Sequence, residues 1–126
     1  MPKVILLMLL AAVSSAAAAE WIEVDFDGNA TFYADLATIR KAGDRVKMWT
    51  LIDYKTVRAG NPYMSIRGQS EFDCKKERMR SLFLSFYSGN MGGGRVVDSD
   101  DDPSKWTRVA LVPVNNSLWQ IACGKR

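Results

Sequence analysis

The feature that most constrains this chain is a pair of apolar-alternating runs flanking a charged knot, Asp73-Cys74-Lys75-Lys76-Glu77. Within the stretch from Tyr63 to Tyr87, one run alternates Met64, Ile66, Phe72 and Cys74. The other sets Met79, Phe83 and Tyr87 against Leu82, Leu84 and Phe86. Successive side chains of a strand point to opposite faces, so this period of two predicts paired strands turning at the knot. Cys74 sits where the strands meet, and the only other cysteine is Cys123.

Where the chain operates decides whether those cysteines pair. Lys3, the apolar run Val4 to Val13 and the small residues up to Ala19 have the three-part layout of a secretory leader. Cleavage is expected between Ala19 and Glu20, giving residues 1–19 as signal peptide and 20–126 as one domain. An uncleaved anchor is the competing reading, but the apolar run is short against the roughly 20 residues a bilayer needs. No cysteine follows the apolar run, so no lipid anchor is expected, and no later stretch is long enough to span a membrane. Two cysteines in an exported chain are expected to bond. Closing that loop is worth about 4 kcal/mol in the chain-entropy model.

The net charge of +3, lowered by one when Lys3 leaves with the leader, is too mild to argue for nucleic acid. The chain has no histidine. That removes the commonest general base and metal ligand together. Haem ligation would fall to Met or Tyr, and no cofactor is expected.

The alternation of Glu20 to Asp25 predicts a first strand, Asp27-Gly28-Asn29 a hairpin turn, and Ala30 to Ala34 its partner. Asp35 is expected to cap a short helical turn with Leu36 and Ile39 on one face. Arg45 to Tyr54 is a third strand, with Trp49 and Leu51 on the face that also carries Lys47 and Asp53. Ser88 to Gly94 reads as the most flexible stretch, Arg95 to Asp98 as a short sixth strand, and Trp106 and Val109 as irregular. After Pro113, Val114, Leu118, Ile121 and Ala122 form the apolar stripe of a last helix. Asn115 or Asn116 can cap it, and Gly124 ends it. Strands first and a helix last give an α+β fold, an antiparallel sheet of about six strands with the helix on one face.

The ordered set of Trp21, Val24, Phe32-Tyr33-Ala34-Asp35, Ile39, Trp49 to Tyr54, Glu71-Phe72-Asp73-Cys74, Phe86-Tyr87-Ser88-Gly89, Trp106 and Cys123 resembles the surface-adhesin protein E family of exported proteobacterial proteins. The resemblance implies a six-stranded antiparallel sheet, a C-terminal helix, a disulfide and no catalytic activity. It also implies an adhesin-like role: the family's namesake is surface-exposed, dimerises, and binds matrix proteins, plasminogen and haem. Two departures are visible. The lipid-bearing cysteine is missing, and Gly60-Asn61 stand where the namesake is basic.

The densest basic cluster is Lys75, Lys76, Arg78 and Arg80. It is either an anion patch or a solvated hairpin end that guards against aggregation, and the second is the preferred reading. Ser99 to Asp102 lacks the ligand alternation of a calcium loop, and Gly92-Gly93-Gly94 lacks the ending of a phosphate loop. Without histidine no serine has its usual activator, so an enzyme is not expected. Trp49, Leu82, Leu84 and Phe86 are a candidate apolar interface, which suggests a homodimer. Two functions follow. One is an exported adhesin-like protein binding a protein or anionic glycan partner, in the periplasm or on the outer surface. The other is a periplasmic interaction module with no adhesive role.

Overall fold

The computed structural model describes residues 19–124. Apart from Ala19, the expected signal peptide lies outside the described residues. The chain forms β1 (Ile22–Phe26), β2 (Ala30–Ala42), β3 (Arg45–Tyr54), β4 (Ser65–Asp73), β5 (Arg78–Tyr87), β6 (Val96–Asp100) and β7 (Thr107–Arg108), then α1 (Pro113–Cys123). The strands lie in one antiparallel sheet in sequence order from β1 to β6. β7 pairs the Arg78-Met79 end of β5, whereas β6 pairs Leu84 to Tyr87. The two are therefore one interrupted edge strand, and the Ser104 N–H bridges the gap to the Ser81 carbonyl at 2.8 Å.

One face of the sheet is roofed by α1. Val46, Met48 and Phe72 pack there with Ala34, Val109, Leu118, Trp119 and Ala122. Trp119 belongs to this core as fully as the stripe residues do, and its indole N–H donates to the Asp73 carbonyl at 2.9 Å. The Cys74–Cys123 disulfide fastens the end of the helix to the turn beyond Phe72, across a Cα–Cα distance of 5.6 Å. Pro113 occupies the first helical turn, where its missing N–H costs nothing. The helix thus starts before Asn115 and Asn116, and both of their N–H groups donate to the Val112 carbonyl. Neither side chain caps it. Gly124, at φ 72°, closes it in the left-handed conformation.

Two local expectations are corrected. Asp35 to Arg40 is not helical but a wide bulge in a single long β2. Between the Asp35–Trp49 and Arg40–Lys47 pairs, β2 spends five steps against two on β3. Asp35 does accept a backbone N–H, from Ala37 at 3.2 Å, but inside the bulge. The Thr38 hydroxyl takes over a ladder bond by accepting the Trp49 N–H at 2.9 Å. The Asp35 carboxylate thus accepts a nearby backbone N–H, but in a bulge and not at a helix start, because Asx-type turns serve both.

The second correction concerns β5. Ser81 pairs Ser70 and Phe83 pairs Gln69, which leaves Leu82 as a bulge residue. One extra residue reverses the side-chain alternation beyond it. Leu84 and Phe86 therefore share the helix-side face with Met79, while Phe83 and Tyr87 turn to the other. Gly68 permits this. A Cβ there would come 2.8 Å from Leu84 Cδ2 and 2.9 Å from the Phe83 carbonyl oxygen.

Candidate functional site

Among the described residues no α-helix covers the face away from α1, and the character of that face follows from register. At the β4–β5 hairpin end, Arg45, Asp73, Arg78 and Arg108 form one rung, and Lys47, Glu71 and Arg80 form the next. Trp106, just ahead of β7, lies against them. Its ring stands 4.4 Å from the Arg78 guanidinium carbon, 4.5 Å from that of Arg80 and 4.8 Å from that of Arg45. Cation–π attraction and bulk together hold the three guanidiniums close.

Two buried carboxylates make that crowding tolerable. Asp73 Oδ2 pairs with Arg78 Nε at 3.1 Å and Arg45 Nε at 3.8 Å. Glu71 Oε1 pairs with Arg80 Nη2 at 2.8 Å and Arg45 Nη1 at 4.0 Å. Asp73 Oδ1 also accepts the Lys75 and Lys76 N–H groups at 3.1 and 3.0 Å, which fixes the turn. Burial pushes the Asp73 carboxyl up, but those N–H bonds and Arg78 outweigh it and hold the pKa below the ordinary aspartate value.

The expected basic cluster is therefore divided. Arg78 and Arg80 are partly buried and tied to carboxylates, whereas Lys75 and Lys76 project from the turn into solvent. Exposed Lys47 and Arg108 join them as neighbours across the strands, a grouping that distance in sequence concealed. The cations on these two rungs outnumber the carboxylates, so the hairpin end is positive overall.

The expected apolar interface is also divided. Trp49 lies on the unroofed face, with Phe83 edge-on at 5.9 Å and the Arg67 guanidinium over it at 4.0 Å. Leu84 and Phe86 lie on the helix side, and Leu82 sits in the bulge. These four residues do not form one surface. The glycine-rich loop, expected to be the most flexible stretch, lies against the Asp53 end of β3 and the Ser65 end of β4. It is tied down: the Met91 N–H and Asn90 Nδ2 donate to Asp53 Oδ1 at 2.7 and 3.0 Å. Ser65 Oγ accepts the Gly92 N–H at 2.9 Å and donates to the Gly89 carbonyl at 2.7 Å. The acidic run Asp100-Asp101-Asp102 is exposed at the β6 end.

A helix-roofed antiparallel meander, stapled through its β4–β5 hairpin and carrying a cationic end on the face away from the helix, defines a small disulfide-bonded α+β domain. The chain belongs to the surface-adhesin protein E family, whose model matches residues 21–124. It is similar in fold to protein E of Haemophilus influenzae, with a TM-score of 0.61 at 17% identity over 86% of this chain and 87% of that one. A second crystal form of that protein gives a TM-score of 0.57 at 16% identity, over 86% of this chain and 97% of that one. Protein E from non-typeable H. influenzae gives 0.53 at 15% identity, over 86% and 78%. A search of curated proteins by sequence returns no significant match. The family assignment makes the chain adhesin-like. Among the described residues no helix is long and apolar enough to cross a membrane.

Proposed function

We propose that this is an exported, non-enzymatic adhesin-like protein that binds a polyanionic partner, a sulfated glycan or an acidic protein face, through the hairpin end of its open face. The observation that carries this reading is the imbalance on two adjoining rungs. Arg45, Lys47, Arg78, Arg80 and Arg108 face only Glu71 and Asp73, and exposed Lys75 and Lys76 stand just beyond. Both carboxylates are already engaged inside the cluster, so the outer cations keep their field for a partner. Immobilised heparin is the test. The wild-type domain is expected to be retained at low salt and released as salt rises. Lys47→Glu/Arg108→Glu and Lys75→Glu/Lys76→Glu should elute earlier with unchanged melting, since the side chains of these residues join none of the ion pairs among the described residues and the turn is held by backbone N–H groups. Passage of the wild type straight through at low salt would overturn the reading.

A second reading is a periplasmic module that associates with itself and has no adhesive role. The edge of β1, which pairs no further strand among the described residues, favours it, because Ile22 and Phe26 there are 48% and 49% exposed. An open apolar edge is a template for a further strand. Sedimentation equilibrium decides this: a strict monomer at high concentration removes it.

A further inference from the structure

On the open face, a recess of about 240 Å³ is lined by Ala19, Trp21, Asp35, Thr38, Trp49 and Arg67. Thr38 is already engaged, its hydroxyl donating to the Asp35 carbonyl and accepting the Trp49 N–H. Asp35 and Arg67 are not matched in this way. Asp35 is only 6% exposed, and its carboxylate accepts the Ala37 N–H but joins none of the ion pairs among the described residues. Arg67 lies over Trp49 and likewise joins no carboxylate there. The charged residues lining the recess are thus Asp35 from β2 and Arg67 from β4, beside the indoles of Trp21 from the approach to β1 and Trp49 from β3. A buried carboxylate is stable as an anion when a cation meets it.

We propose that this recess is a receptor for an α-ammonium group that carries a carboxylate close by, the ammonium meeting Asp35 and the carboxylate meeting Arg67. Two sources share that chemistry. The first is the chain's own processed end. Hydrolysis of the Ala19–Glu20 amide adds water across the bond, leaving a carboxylate on Ala19 and an ammonium on Glu20. That ammonium forms between two residues that already line the recess, and the Glu20 side chain supplies the carboxylate. The second source is a free α-amino acid, whose size suits a recess of this volume. The first source rests on the leader reading, and the second does not.

The experiment uses purified chains that begin at Glu20 or carry a short Gly-Ser extension ahead of Ala19, so signal processing is not itself tested. An ammonium paired in the folded state has its pKa raised above the unfolded value of about 7.7–8.0. Its contribution is complete below that pH and lost as pH rises through the folded value. If the chain's own end is the occupant, the Glu20 chain melts about 4 °C above the extended chain at pH 7. That gap closes near pH 10 and is absent when both carry Asp35→Asn, which keeps an acceptor for the Ala37 N–H. If a free amino acid is the occupant, millimolar glutamate or glycine raises the melting temperature of the extended chain, acetate and ethylamine do not, and Asp35→Asn or Arg67→Ala abolishes the rise. Should Asp35→Asn fail to fold, the pH contrast between the wild-type chains still decides the first source and Arg67→Ala the second. Equal melting of both chains at both pH values, with no response to either amino acid, overturns the proposal.

Discussion

The two ends of the sheet use one device, a guanidinium on an aromatic face, under opposite conditions. At the hairpin end, Arg45, Arg78 and Arg80 crowd Trp106 with Asp73 and Glu71 beneath them. At the far end, Arg58 stacks at 3.5 Å on Tyr54 and 5.0 Å from Tyr63, which packs at 4.8 Å against Phe86. No carboxylate joins Arg58 among the described ion pairs, and its Nε and Nη2 are buried without a hydrogen-bond partner. Burial there raises the Tyr54 pKa, and Arg58 only partly opposes the shift. The hairpin end is a network of arginines tied to two buried carboxylates, and it can be broken. The far end is a lone cation held by ring faces, with part of its bonding capacity unused. The difference teaches that cation–π contact alone does not distinguish a structural arginine from a dispensable one; the carboxylates do.

Four measurements test that contrast, in descending order of effect. Replacing Cys74 and Cys123 by Ala frees the helix from the hairpin end and should lower unfolding free energy by about 4 kcal/mol, read as a reduced urea midpoint. Removing the network's central charge with Asp73→Asn leaves Arg78 short of its partner and should cost about 2 kcal/mol at pH 7. The sign of its pH dependence is fixed, since a carboxyl with a lowered folded pKa stabilises above its unfolded value of about 3.9. Wild-type stability should therefore fall as pH drops below about 4, and less steeply in Asp73→Asn. Trp106→Ala strips the shared ring from three guanidiniums and should cost about 2 kcal/mol, with much of the loss recovered in Trp106→Phe. Arg58→Met should change stability by less than about 1 kcal/mol, because the unpaired nitrogens leave with the ring contact. A loss from Arg58→Met as large as that from Asp73→Asn would erase the distinction between the ends.

Much of this was legible in the residues. Arg45 to Tyr54 forms β3 with those same bounds, because its alternation is uninterrupted and turn residues flank it. The cysteines pair, and Leu118 and Ala122 pack as their spacing requires. The site was legible only in part. Lys75 to Arg80 stood out as a basic cluster, but composition does not say which cations already have carboxylates. Lys47 joins the rung of Glu71 and Arg80, and Arg108 that of Arg78, only through long-range register. The Leu82 bulge carries no local turn signature, since the glycine that admits it, Gly68, is on the other strand. Trp106 lay in a segment with no periodicity, and its role depends on three arginines from two strands.

Sheet order has a kinetic consequence. Each strand from β1 to β6 lies beside its neighbour in the chain, so hairpins can zip one after another with short loop closures. Docking of α1 onto β3 and β4 instead requires distant segments to meet. That contact carries a larger loop-closure cost than the hairpins do, and Val46, Met48 and Phe72 stay uncovered until it is made.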